Sequence, residues 1–245
     1  MRNQILVSVI LTAIGLNSCK MVDSSLTLGV PKSEMILQQI PSNQKGRTKC
    51  ALYLPAREIS ATEFNTPALY TLIDSMYAIM LRKSGIGISA NQLGKRLQIF
   101  IIEAKADNPR YKVLGPVPKQ IFINPIITKF SSTKRNFWHG CLSAVGKDRG
   151  NVATYEWLEF QCKNEKGETT TGRLDGFAAV IFQHEFRHLM KGTYLDVAKQ
   201  FLPKTELDAK VGKGEIEYFG MASDSLPLLI QGYNLGETLD AYHAN

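Results

Sequence analysis

Cysteine is scarce in this 245-residue chain, at 4 residues, and histidine equally so, at 4. A disulfide-dense miniature scaffold is therefore excluded, and the chain is long enough to enclose one sizeable core. Glycine (19) and proline (10) are too few for a collagen-like or low-complexity chain. Acidic residues are outnumbered, 22 Asp+Glu against 29 Lys+Arg, for a formal charge of +7. That surplus is dispersed: Lys45, Arg47 and Lys49 lie in one stretch, Lys134 and Arg135 in another, Lys210 and Lys213 near the end, with acids between them. No basic stripe interleaved with aromatics occurs, and no helix-turn-helix or RNA-binding signature, so no nucleic acid is expected as a partner. Internal repeats are absent too. With 44% hydrophobic residues, the composition is that of a globular domain.

Also lacking is an apolar run of the ~20 residues that a membrane-spanning helix needs. The run at 5–16, preceded by Arg2, has instead the length of a signal-peptide apolar region. It leads into Leu16-Asn17-Ser18-Cys19, where a small residue before a cysteine resembles a bacterial lipoprotein signal. The expectation is an exported protein held at a membrane by a lipid on Cys19; without use of the signal, the address would be cytoplasmic. The organisation then reads as a signal at 1–18, a tether at 19–33, a catalytic domain at 34–201 and a C-terminal extension at 202–245.

Two segments carry clear helical signals. Thr66 as N-cap and Pro67 at the first helical position precede Leu69, Leu72, Ile73, Met76 and Met80 at spacings of mostly three and four, and Ser84-Gly85 ends the run. A second helix is expected at 175–191, with Phe177, Val180, Ile181, His184, Glu185, His188 and Leu189 on an inward arc and Gly192 as its stop. Strands are expected at 97–102, at 120–123 and 126–130 around Asn124-Pro125, and in a hairpin at 157–162 and 168–172. Because the strands mostly precede the second helix instead of alternating with helices, the fold class is α+β.

The second helix carries the sharpest chemical signal, His184-Glu185-Phe186-Arg187-His188. Residues four apart on a helix differ by ~40° in direction, so both imidazoles can face one metal ion, with Glu185 beside them as a base for water. The third ligand decides the class. A metzincin is excluded, because Lys191 and Tyr194 stand where it would need Gly and His. A gluzincin-like metallopeptidase would use a downstream acid such as Glu206, Glu215 or Glu217. Alternatively the ligand lies upstream, in His139-Gly140-Cys141-Leu142-Ser143, where a thiolate suits Zn²⁺ or Fe²⁺ and leaves a fourth position for water.

Three segments together, Gly85-Ile86-Gly87-Ile88-Ser89-Ala90-Asn91-Gln92, Gly140-Cys141-Leu142-Ser143 and Gln183-His184-Glu185-Phe186-Arg187-His188-Leu189, resemble in order the three motifs of peptide deformylase. The resemblance spans about 34–196. It implies an α+β domain whose central metal-binding helix packs among antiparallel β-sheets. It also implies that Cys141, His184 and His188 hold one divalent metal ion, Fe²⁺ in the family's usual active form, with Zn²⁺, Ni²⁺ or Co²⁺ as substitutes. Glu185 would be the general base, and the Gln92 amide and Leu142 N–H would stabilise the oxyanion. Gly85, Ile86, Gly87, His139 and Gly140 would line the substrate, an N-formylated peptide from which formate is released. Three departures stand out: His139 and Arg187 replace acids, and Ser89-Ala90-Asn91-Gln92 replaces Ala-Ala-Pro-Gln. They keep open a rival, a deformylase-derived lipoprotein that binds formyl peptides without catalysis. Cys50 and Cys162 are left either as a disulfide or as free core thiols.

Overall fold

The computed structural model describes residues 22–27, 35–107 and 114–245. The expected signal and the expected lipid attachment at Cys19 lie outside the described residues. Among those residues, no helix is long and apolar enough to cross a membrane.

A short helix, α1 (Gln44–Arg47), precedes the amphipathic α2 (Pro67–Arg82). As its sequence predicts, α2 starts with the Thr66 side chain accepting from Leu69 N–H at 3.3 Å. It buries Leu69, Leu72, Ile73, Met76, Ile79 and Met80, each worth ~1.5–3 kcal/mol of transfer free energy. These residues pack on one side of the first sheet, a second hydrophobic cluster that also contains Ile88, Leu97, Ile99 and Ile101.

That sheet contains β1 (Gly87–Ser89), β2 (Ile99–Ala104), β3 (Val117–Phe130), β6 (Trp157–Lys163) and β7 (Thr169–Asp175), in that spatial order and antiparallel throughout. The strands expected either side of Asn124-Pro125 are one strand with a bulge. Asn124 adopts φ +49°, and its amide both donates to Ile59 O and accepts from Ile59 N–H at 2.9 Å, which fixes the irregularity. β4 (Lys134–His139) and β5 (Arg149–Tyr155) form the centre of a second, four-stranded sheet.

Between the sheets runs α3 (Gly176–Leu189), buried on nearly every face and in contact with β1 and β2 of one sheet and β5 of the other. The Phe182 ring lies edge-on to Phe100 and Phe122 at 5.0 and 4.9 Å. Gln183 fastens the helix to the end of β5, its amide accepting from Tyr155 N–H and donating to Tyr155 O, both at 2.9 Å. The left-handed residue after the helix is Lys191 (φ +63°), not the expected Gly192.

Both ends of the described chain are packed against the domain. The residues expected as a C-terminal extension pack onto the domain: β8 (Gln200–Leu202) and β9 (Phe219–Met221) are the two edges of the second sheet. After α4 (Lys204–Gly212), Leu229, Ile230, Tyr233 and Leu239, the last in α5 (Leu239–Ala244), join the main core. Residues 22–27 do not run free as the expected tether. Asp23 pairs with Lys95, whose Nζ lies 2.8 Å from both carboxylate oxygens, and Leu26 is buried. Lys95 is only 3% exposed, and a buried ammonium requires such a partner.

Candidate active site

The two sheets leave a cleft of ≈ 950 Å³ over the middle of α3. Helical spacing sets His184 and His188 on one face, and the loop after β4 brings Cys141 to them. Ligand atoms of Cys141, His184 and His188 all lie within 4.8 Å of one another, and no other such metal-binding group occurs among the described residues. Cys141 Sγ is 3.4 Å from His188 Nε2 and accepts from Ser143 N–H at 3.4 Å and from the Gln92 amide at 3.3 Å. Gly192 O, 3.1 Å from His188 Nδ1, accepts that proton and leaves Nε2 free to bind. The downstream acids are elsewhere: Glu206 and Glu215 face Lys210 on the surface, and Glu217 stands beside Gly220. A gluzincin arrangement is thereby overturned.

Glu185 lies between this triad and β1. A Cβ on Gly87 would come within 2.3 Å of Glu185 Oε1, so the bare backbone of Gly87 is what admits the carboxyl group. Burial raises the Glu185 carboxyl well above the ordinary carboxylate range. Glu185 Oε2 has no hydrogen-bond partner among the described residues, an orphaned buried acceptor facing the cleft. Burial also holds the imidazoles neutral, bringing His188 down to about 4 and His184 well below its ordinary value. Burial, with the Glu185 charge, pushes the Cys141 thiol up to about 12. Two neutral imidazoles and a thiol that the protein alone does not ionise fit a divalent cation, whose charge turns a coordinating thiol into a thiolate.

Gln92 sits in a 3-10 turn (Ala90–Leu93) directly after β1. Its oxygen accepts from Ser89 N–H at 2.9 Å, which orients the amide nitrogen toward Cys141 Sγ and Ser143 Oγ, each at 3.3 Å. Gly85, Ile86, Gly140 and Leu142 all line the cleft. β1 is an edge strand, paired with β2 alone, so an extended peptide can align beside it.

His139 differs from expectation. It lines the cleft, but its Nδ1 lies 3.0 Å from Nδ1 of His184, and burial lowers it to about 3. It thus backs a ligand as well as bordering the substrate space. Sequence reasoning missed Arg149 altogether. A Cβ on Gly140 would lie 1.8 Å from an Arg149 terminal nitrogen, so the guanidinium presses against that backbone. An isolated arginine opening a strand carries no signal of this. Cys50 and Cys162 are not bonded to each other: Cys50 Sγ meets Gln38 Oε1 at 3.4 Å and Cys162 Sγ meets Thr170 Oγ1 at 3.1 Å, both in the core.

A thiol and two imidazoles gathered around a buried carboxyl, with an amide donor opposite and a peptide-sized edge alongside, define a metal-dependent hydrolase of peptide-like amides. Residues 45–203 match the family described as polypeptide deformylase. The chain belongs to that family and is an enzyme of the peptide deformylase type. It is 32% identical over 144 residues to a peptide deformylase of Leptospira biflexa, covering 59% of this chain and 80% of that one. It is 36% identical over 138 residues to peptide deformylase 1 of Nitrosomonas europaea, covering 56% and 76%. Among solved structures, the class I type b peptide deformylase of Acinetobacter baumannii with Met-Ala-Ser bound superimposes with a TM-score of 0.59 and 31% identity. That match covers 66% of this chain and 98% of the other.

Proposed function

We propose that the protein removes the formyl group from N-formylmethionyl peptides, with Cys141, His184 and His188 holding one divalent metal ion. The observation that carries this reading is the meeting of those three donors, within 4.8 Å of one another, at a cleft that the unpartnered carboxyl of Glu185 also lines. A divalent cation bound there supplies Lewis acidity that acidifies water and polarises a carbonyl. Fe²⁺ is the ion proposed, because the family resemblance implies it and one thiolate with two imidazoles suits it.

The residues of the chain do the rest. Glu185, a strong base because it is buried, takes the proton of the attacking water and passes it to the departing amine. The C–N bond of the formamide breaks, leaving formate and a free amino terminus. The Gln92 amide and the Leu142 N–H donate to the oxygen that becomes negative in the transition state. Gly85, Ile86 and Gly87 present backbone to an extended peptide, and Gly140 borders the same space.

Formate release from formyl-Met-Ala-Ser by anaerobically purified protein loaded with Fe²⁺ or Ni²⁺ tests the reading. Turnover supports it; peptide binding with no formate supports the non-catalytic rival. Metal analysis after Cys141→Ala tests the ligand set, since loss of most of the metal is expected.

We further propose that the chain is exported and lipid-anchored at Cys19, on the sequence resemblance described above. Fractionation of cells expressing the full-length chain and its Cys19→Ala variant tests the address, with loss of membrane association expected in the variant. An enzyme so placed would act on peptides released outside the cytoplasm, not on nascent chains.

A further inference from the structure

The walls of the cleft are not chemically uniform. Its inner part is apolar, lined by Phe137, Phe177, Val180 and Ile181. Its mouth is cationic. Arg82 and Lys83, at the C-terminal end of α2, Lys147 and Arg149, and Lys204, at the start of α4, all line it. The acids lining the cleft are Asp148 and the buried Glu185. Lys204 is engaged with Asp208. Arg82, Lys83 and Lys147 are exposed and form no ion pair among the described residues. Elsewhere on the surface, Arg47, Arg57, Arg135 and Arg173 each face a carboxylate within 2.6–2.8 Å.

Position matters more than number here. Arg82 and Lys83 immediately precede Ser84-Gly85, so they flank the lead-in to the edge strand that an extended peptide would follow. Lys147 lies in the loop that continues from Cys141 and Leu142. Exposed Ile36 and Val145, 75% and 76% accessible, line the same cleft and offer apolar ground to a bound peptide. A peptide whose formyl group reaches Glu185 therefore runs outward over aliphatic side chains into positive potential. Like charges around a low-dielectric cleft focus that potential on whatever leaves it.

We propose that Arg82, Lys83 and Lys147 select formyl peptides that carry a carboxylate downstream of the formylmethionine. This inference rests on the deformylase reading and names the substrate class of the same site. Two sources share the chemistry, the free C-terminus of a short peptide and the side chain of an Asp or Glu within a longer one. A preference for the first marks an enzyme of short peptide fragments; a preference for the second marks selection by sequence.

The test compares kcat/KM for formate release from four probes: formyl-Met-Ala-Ser as free acid and as amide, and formyl-Met-Ala-Glu and formyl-Met-Ala-Lys, both as amides. Exposed charge pairs contribute ~0.2–1 kcal/mol each, so three acting together give about 3- to 150-fold. The acid is expected to exceed the amide, or the Glu amide the Lys amide, by that factor at low salt, chiefly through KM, and the advantage should shrink at 0.5 M NaCl. In Lys83→Ala/Lys147→Ala the ratio should fall toward one, and Lys83→Arg/Lys147→Arg should restore it. Equal rates for all four probes, or a ratio unmoved in the alanine variant, overturn the inference while leaving the deformylase reading intact. Absence of formate from all four overturns both.

Discussion

Nδ1 of His139 stands 3.0 Å from Nδ1 of His184, a contact between residues 45 positions apart that joins the end of β4 to the central helix. Only one of the two nitrogens can hold the shared proton. For His184 to bind a cation through Nε2, it must donate from Nδ1, and His139 must accept. His139 thereby fixes the tautomer of His184, a service that a carboxylate or carbonyl commonly performs for a ligating imidazole. Replacing His139 by Ala should weaken metal retention by about 10- to 100-fold. Replacing it by Glu, which restores an acceptor, should retain the metal. Competition of each purified variant against a graded chelator measures this.

In the proposed mechanism, proton transfer depends on Glu185. Glu185→Gln is nearly isosteric and keeps the three ligands, so bound metal should be unchanged while kcat falls by about 10²- to 10⁴-fold. Metal analysis paired with a formate assay separates the two quantities.

Gly87 presses on the same carboxyl group from the other side. Gly87→Ala would set a methyl 2.3 Å from Glu185 Oε1, and displacing a catalytic group by ~1 Å costs about 10²-fold in turnover. Thermal unfolding should change far less than kcat, because the displaced group is a side chain bordering the cleft.

Arg57 and Glu63 make a two-pronged ion pair, 2.7 Å at each contact. The guanidinium brings the Glu63 carboxyl down from 4.5 to about 2. A carboxyl depressed on folding contributes its stability above its unfolded value and loses it as the pH falls through the folded one. The pair should therefore contribute fully at pH 7, decline below about pH 4.5 and vanish near pH 2. Both side chains are partly exposed, so its contribution is about 1 kcal/mol. Urea unfolding of Glu63→Gln should differ from the parent by that amount at pH 7 and not at pH 2.

Phe182 is fully buried, in edge-on contact with Phe100 and Phe122. Phe182→Ala should cost about 3–5 kcal/mol, as expected for a large aromatic removed from a closed core. Denaturant titration measures the loss.

The two long helices, and the two imidazoles of the candidate metal cluster, are legible in the sequence because each is written locally. Thr66, Pro67 and the spaced apolar residues of α2 lie within one window, and His184, Glu185 and His188 within five positions. The joining of Cys141 to that helix was legible only through three motifs taken together. What escaped depends on contacts at long range. Arg149 reaches Gly140 from the start of β5, and nothing in its own neighbourhood announces it. Leu229, Ile230 and Tyr233 enter the core from irregular chain, where single buried residues create no period for a pattern to follow. The N-terminal segment was misread for a related reason. A polar stretch looks like a spacer until its Asp23 is seen to answer a lysine 72 positions away.

That pairing has a mechanical consequence. The Asp23–Lys95 clip is followed by Arg96 N–H donating to Asp23 O at 2.7 Å, so the chain is fixed to the domain at Asp23. Four Cα-to-Cα steps separate Cys19 from that point, a reach of at most ~14 Å. A lipid carried on Cys19 would give the enzyme almost no leash. It would hold the domain against the bilayer with one face turned inward, and the search for substrate would become diffusion in two dimensions along a surface.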